Sequence, residues 1–105
     1  MNKNFSTIED AVAAIRQGRI IVVVDAEDRE NEGDFVCAAE MATAESVNFM
    51  IRMGRGQLCM PILPETSQRL NLHPMVEANT APLGTNYTVP VDHRTTRTGI
   101  TASER

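Results

Sequence analysis

Five β-branched residues in a row, Ile20 to Val24, run directly into a ten-residue segment, Asp25 to Asp34, that holds six carboxylates and one arginine. The two sides of this join make opposite demands. A continuous β-branched run is the pattern of a strand covered on both faces, as in a sheet with helices packed on either side. Asp25, Glu27, Asp28, Glu30, Glu32 and Asp34, by contrast, repel one another and raise each other's pKa unless positive charge stands nearby. A second apolar run, Phe35 to Ala39, follows and reads as the next strand. Whatever this chain folds into must therefore hold a charged loop on a sheet scaffold, with a metal ion or a polar ligand as its natural counterpart.

The acidity is local. The formal net charge is -4, yet outside Asp25–Asp34 nine basic residues face eight acidic ones. No basic stripe and no stacking set of aromatics accompanies this, with one Tyr, three Phe and no Trp, which argues against nucleic acid as a partner. The longest apolar stretch, Ile20 to Val24, falls far short of a membrane span, so no membrane partner is expected. Cys37 and Cys59 lie 22 residues apart, with no secretory signal upstream of a polar Met1 to Ser6 start and no C-x-x-C spacing. They read as reduced thiols of a cytoplasmic protein. At 105 residues the chain is one domain or part of one.

Ser6 followed by Glu9 has capping-box spacing, and Ile8, Ala11, Val12 and Ile15 place apolar groups on one face before Gly18, which predicts a first helix. Thr43 suits the N-cap of a second, with Ala44, Val47, Met50 and Ile51 inward and Gly54 at its end. Leu58 to Ile62 reads as a third strand, with Pro61 marking an edge, and Pro64 to Leu70 as a short helix begun by proline. Beyond Asn71 the prolines punctuate long loops, and Tyr87 to Val91 is the one strand candidate. Thr101 or Ser103 would cap a helix whose body is absent, which reads as the front part of a longer domain.

Several constellations carry more than one reading. Asp28, Glu30, Glu32 and Gly33 mimic the opening of an EF-hand loop, but the position that requires a bidentate Glu is Ala39, and the flanking elements read as strands rather than helices. Magnesium needs only one or two carboxylates besides waters and substrate oxygens, so a magnesium site and a solvated hairpin both stand. Arg29 either neutralises its neighbours or holds a phosphate or sugar oxygen beside a metal. Cys59, between Leu58 and Met60, and Cys37 read as small buried hydrophobes, and Met50, Met53 and Met60 as core filler. The segment from Arg94 to Arg105 offers hydroxyls and backbone donors to a phosphate without being a P-loop. His73 and His93 have no partner at metal-ligand spacing and read as exposed.

Four strings, Asp25-Ala-Glu-Asp-Arg-Glu-Asn-Glu-Gly-Asp34, Gly56-Gln-Leu-Cys-Met60, Met75-Val-Glu-Ala-Asn-Thr80 and Thr98-Gly-Ile-Thr-Ala-Ser-Glu-Arg105, together resemble 3,4-dihydroxy-2-butanone 4-phosphate synthase of riboflavin biosynthesis. The resemblance runs from about Ile8 onward and covers the first half of the family domain, so residues 1–105 are expected to be its amino-terminal portion. It implies an α/β fold, a mixed sheet with helices packed on its faces in an α/β sandwich, here truncated. It also implies a cytoplasmic homodimer with active sites at the subunit interface, in some proteins fused to a GTP cyclohydrolase II domain. The implied activity is a lyase dependent on Mg2+, with Mn2+ as the alternative ion, that converts D-ribulose 5-phosphate to L-3,4-dihydroxy-2-butanone 4-phosphate and formate.

By the family pattern Glu30 is a metal ligand and Arg29 and Asp34 contact the sugar phosphate. Glu32, Asp28 and Cys59 line the site, and Thr98, within the Thr95 to Thr101 wall, binds substrate. Glu30, Glu32, Asp34 and Cys59 form the implied catalytic set. Such chemistry develops negative charge on oxygens and moves a proton at each step, which a metal and carboxylates of differing pKa serve. The family's other metal ligand, a His in a Gly-His-Thr string, its later essential Glu and its phosphate-holding Arg and Thr match nothing in this sequence, and neither His73 nor His93 fits that string. The chain alone is therefore expected to bind metal weakly and turn over slowly or not at all. The competing readings are a non-catalytic metal-binding or assembly fragment of that enzyme and a small acidic calcium module.

Overall fold

The two β-branched and apolar runs pair with each other. Strand β1 (Ile21–Val24) and strand β2 (Gly33–Val36) form an antiparallel ribbon, with Ile21 opposite Val36, Val22 opposite Phe35, Val23 opposite Asp34 and Val24 opposite Gly33. Because strand side chains alternate between faces, Val22, Val24 and Phe35 share one face and Ile21, Val23, Asp34 and Val36 the other. Residues 25–32 of the acidic segment connect them, and its last two residues, Gly33 and Asp34, belong to β2. These relations come from a computed structural model that describes residues 4–105; Met1 to Lys3, the start of the polar amino-terminal segment, lie outside the described residues.

Helix α1 (Ile8–Arg16) forms where predicted, but its cap is Thr7, whose hydroxyl accepts from the Asp10 amide at 3.1 Å, and not Ser6 with Glu9. The one-residue shift still leaves Glu9 and Asp10 in the first turn, where the helix dipole favours them. Gly18, at φ 75°, ends it: the Gly18 amide bonds Ile15 O and the Arg19 amide bonds Ala14 O. Helix α2 (Ala44–Phe49) starts at the expected Thr43 in a reciprocal box, Ser46 N to Thr43 Oγ1 at 3.1 Å and Thr43 N to Ser46 Oγ at 2.9 Å. It continues through a π-helical turn, Met50–Gly54.

The left-handed residue that closes this second helix is Arg55 at φ 57°, not Gly54. Gly54 serves packing instead. A Cβ there would come within 3.1 Å of the Phe35 ring, and Phe35 also meets Phe49 at 5.4 Å between ring centroids. This contact sets the α2 end against β2, while α1 lies against β1. Helix α3 (Pro64–Arg69) begins on its predicted proline and, among the described residues, packs on no other helix or strand.

The α/β class holds, with helices set against a sheet whose paired strands are antiparallel. Two expected strands do not form within the described residues. Leu58–Ile62 forms no strand, and Tyr87–Val91 contributes only a bridge from Thr88 to Pro74. A strand needs a neighbour for its amides: residues 73–75 meet 87–89 through only two bonds, Met75 N to Tyr87 O at 2.8 Å and Val89 N to His73 O at 2.9 Å, and Leu58–Ile62 pairs with no strand among the described residues. The predicted core is also largely uncovered. Val47 is the one buried hydrophobic side chain among the described residues, whereas Met53, Met60, Ile8 and Cys59 are exposed, contrary to their reading as core. Cys37 and Met50 are half-buried. The solvent-accessible surface, 9420 Å², compares with roughly 5,800 Å² for a compact monomer of the same mass. The radius of gyration, 15.7 Å, compares with about 13 Å.

Candidate functional site

Asp25 organises the acidic loop. It leaves the end of β1 and turns its carboxylate back across the connection, where Oδ2 accepts from the Glu30 amide at 3.0 Å and Oδ1 from the Glu32 amide at 2.9 Å. The Asp25 amide in turn donates to Glu32 O at 3.2 Å, extending the ribbon by one pair. Within this ring the Arg29 and Asn31 amides both donate to Ala26 O, and Asn31 takes the left-handed conformation at φ 52°, which a short amide side chain tolerates. A loop with six like charges is thus held by one of them.

Arg29 joins the same carboxylate. Its Nη1 lies 2.9 Å from Asp25 Oδ2 and 2.7 Å from Glu30 Oε1. Of the two readings of this arginine, charge neutralisation is the arrangement the structure displays. The Asp25 carboxyl is held below its ordinary value of 3.8, first by the Glu32 amide, then by the Glu30 amide and the Arg29 guanidinium. Arg29 is held more firmly protonated, first by its bond to Asp25 and then by the charge of Glu30.

The remaining sequence-derived candidates are placed as follows. Asp28 is exposed at the loop tip, in the turn 27–30, and Glu32 reaches the ring through its backbone. Asp34 stands in β2 opposite Val23, on the face away from Phe35. An open concavity of about 490 Å³ borders the loop between Phe5, Val24, Glu27, Asn31 and Glu32, and Arg29, Glu30 and Asp34 do not line it. Cys59 is exposed on the unpaired segment after the second helix. Among the described residues, no hydrogen bond or ion pair joins the acidic loop to Cys59 or to Thr98. His73 and His93 are exposed, as expected, and the His93 ring bonds the Thr95 hydroxyl at 2.8 Å.

The hydroxyl-rich segment makes a second ring, closed by Glu104. The Glu104 carboxylate accepts from the Arg97 amide at 2.9 Å and the Gly99 amide at 3.0 Å. Its pKa lies below the ordinary 4.5, first through the Arg97 amide, then the Gly99 and Ile100 amides and the Thr98 hydroxyl. These backbone donors are therefore occupied from within, and what the segment offers a ligand is side chains. Thr101 caps the last turn as expected, its carbonyl accepting from the Glu104 and Arg105 amides. Sequence reasoning did not single out Asp25 or Glu104 as organisers. The one available signal was an acid placed five to seven residues from the backbone it closes on.

A magnesium ion suits the donor chemistry, since Glu30 supplies the hard oxygen such an ion takes alongside waters and substrate oxygens. Among the described residues no three His, Cys, Asp or Glu side chains converge to enclose one. Likewise no helix among them is long and apolar enough to cross a membrane.

Known proteins resemble this chain over nearly its whole length. The family profile described as 3,4-dihydroxy-2-butanone 4-phosphate synthase matches residues 9–105. The riboflavin biosynthesis protein RibBA of Bacillus subtilis is 56% identical over 101 residues, which are 96% of this chain and 25% of that protein. A solved 3,4-dihydroxy-2-butanone 4-phosphate synthase in complex with two magnesium ions matches at a TM-score of 0.89 and 44% identity, covering 95% of this chain and 47% of the other. RibBX from A. baumannii, a two-domain synthase, matches at 0.83 and 44% identity over 94% of this chain and 29% of its own. The chain thus spans about a quarter of the curated relatives it matches and about half of that magnesium-bound chain. With its profile match running through the Asp25 ring, the unpaired middle segment and the Glu104 ring alike, the chain belongs to the 3,4-dihydroxy-2-butanone 4-phosphate synthase family.

Proposed function

We propose that residues 1–105 are the amino-terminal portion of a synthase domain that converts D-ribulose 5-phosphate to L-3,4-dihydroxy-2-butanone 4-phosphate and formate. The observation that carries this reading is the Asp25 ring, which presents Arg29 and Glu30 as an adjacent cation and anion on the family's most specific string. Glu30 would hold Mg2+, with Mn2+ as the alternative. When bound, the ion supplies charge stabilisation for the oxyanions that the reaction develops.

Binding, orientation and proton handling fall to the chain's own residues. Arg29 shifts one of its two carboxylate contacts to the sugar phosphate, and its rigid fork suits that exchange. Asp34, projecting from a paired strand, has a fixed direction and contacts the substrate from the sheet. Glu32 and Cys59 join Glu30 and Asp34 in the catalytic set, and Asp28 and Thr98 bind substrate along the remaining wall. The same reading makes the functional unit a cytoplasmic homodimer with its sites at the subunit interface, and allows fusion to a GTP cyclohydrolase II domain. The uncovered apolar surface supports a missing partner or remainder.

The test grafts this chain, in place of the matching stretch, into the synthase whose magnesium complex it matches. Formate release from ribulose 5-phosphate with Mg2+ is expected from the graft, and Glu30→Gln should abolish both release and magnesium response. A graft that folds but releases no formate would sink the reading. The chain alone is expected to release little or none, because among the described residues no three His, Cys, Asp or Glu side chains converge to hold the ion. Family-like turnover by the isolated chain would overturn that half-site reading.

A further inference from the structure

We propose that Glu104 is a positioning residue for substrate binding, holding the loop that carries Thr98 in its binding shape. This rests on the proposed role of Thr98 and adds a group to which that reading gives no part. The geometry is a closed turn. From one end of residues 97–104 the Arg97 and Gly99 amides donate to the two Glu104 oxygens at 2.9 and 3.0 Å, bracketing Thr98 between them. From the other end the Thr101 carbonyl and hydroxyl accept the Glu104 amide at 3.1 and 3.3 Å, which fixes where that carboxylate starts. Arg105 Nε adds a bond to Gly99 O at 3.3 Å.

Gly99 is buried at φ 68°, and a Cβ there would collide with the Asp92 carboxylate, so the turn beside Thr98 requires glycine at this position. A carboxylate that accepts two backbone amides holds a loop more firmly than neutral acceptors do. Placing a substrate-contacting hydroxyl wrongly by as little as an ångström is costly to binding. The lowered pKa of Glu104 is consistent with a carboxylate that stays ionised in this ring. The other charged groups at the turn are Asp92, Arg97 and Arg105.

In the grafted synthase, Glu104→Gln keeps the shape of the side chain but turns an NH2 toward one of the two amides. It is expected to raise KM for ribulose 5-phosphate on the order of tenfold while changing kcat much less. In a Thr98→Ala background the same substitution should have little further effect, since the two act through one contact. An equal effect in both backgrounds would show that Glu104 serves general stability, and would overturn the proposal while leaving Thr98 in place. No effect of Thr98→Ala alone would overturn the Thr98 reading and the proposal with it, a result distinguishable because Glu104→Gln is then judged against an inert partner. A measurement without any variant guards against misfolding. The Arg97 and Gly99 amide resonances should titrate together with a midpoint below 4.5, the ordinary value for this carboxyl, and amides insensitive to pH there would overturn the ring itself.

Discussion

Asp25 shows how one side chain turns a repulsive sequence into an ordered loop. Six acids in ten residues would spread apart if each faced water alone. One of them instead faces inward, where two amides and a guanidinium stabilise its charge, and the others are carried on the backbone it fixes. Replacing it with alanine leaves the Glu30 and Glu32 amides without that acceptor and Arg29 with one anionic partner fewer. In the grafted synthase Asp25→Ala is therefore expected to weaken apparent magnesium affinity about 10- to 100-fold, as loss of a ligand's supporting partner does, read from formate release against Mg2+ concentration. An unchanged magnesium curve would mean that Glu30 needs no such support. Gly99 offers a second test at this scale. Gly99→Ala forces a side chain into left-handed backbone against Asp92 and should cost about 1–2 kcal/mol, seen as a lower melting temperature.

At the scale of elements, legibility followed the range of the forces involved. The Thr43 cap, the Pro64 start and the Gly18 stop were readable because each depends on neighbours within a few residues, whereas the second strand, read as Phe35–Ala39, forms two residues earlier as Gly33–Val36, where β1 pairs with it. Even the displaced cap of α1 moved by one position, from Ser6 to Thr7, since adjacent hydroxyls compete for the same amides. The two unformed strands failed for the opposite reason. Leu58–Ile62 and Tyr87–Val91 have strand-like composition, but a strand is made by its partner. Cys59 and Met60 were read as buried on that assumption and are exposed without it. The second helix gives the matching prediction. Thr43→Ala removes the Oγ1 that accepts the Ser46 amide, one half of its capping box, and should destabilise the folded graft by about 1 kcal/mol, measured by denaturant titration, while a neutral result would show that the Phe35–Phe49 contact alone holds this helix.

Across the whole molecule, the mismatch between composition and burial stands out. β1 has the sequence of a strand covered on both faces, yet Val22, Val23 and Val24 are 62%, 46% and 48% exposed. The apolar surface left open is what a compact protein would cover with further chain or with a partner. The isolated chain is expected to bind a hydrophobic dye strongly and to sediment as species heavier than its own 11.6 kDa, whereas the graft, with this surface covered, should do neither. A monomeric, dye-silent chain would show that the open surface needs no cover.

Sequence alone determined the local grammar of this protein: the charged loop between two strands, the caps and stops of its helices, and the strings that place it in its family. These depend on contacts spanning a few residues or on the identity of side chains, and both are written linearly. Only the tertiary structure decided which carboxylate turns inward to hold the loop, that Glu104 occupies the backbone donors of the threonine-rich segment, and that Gly54 makes room for a ring instead of turning the chain. Each of those outcomes is a choice among chemically similar groups, settled by where the backbone brings them in three dimensions.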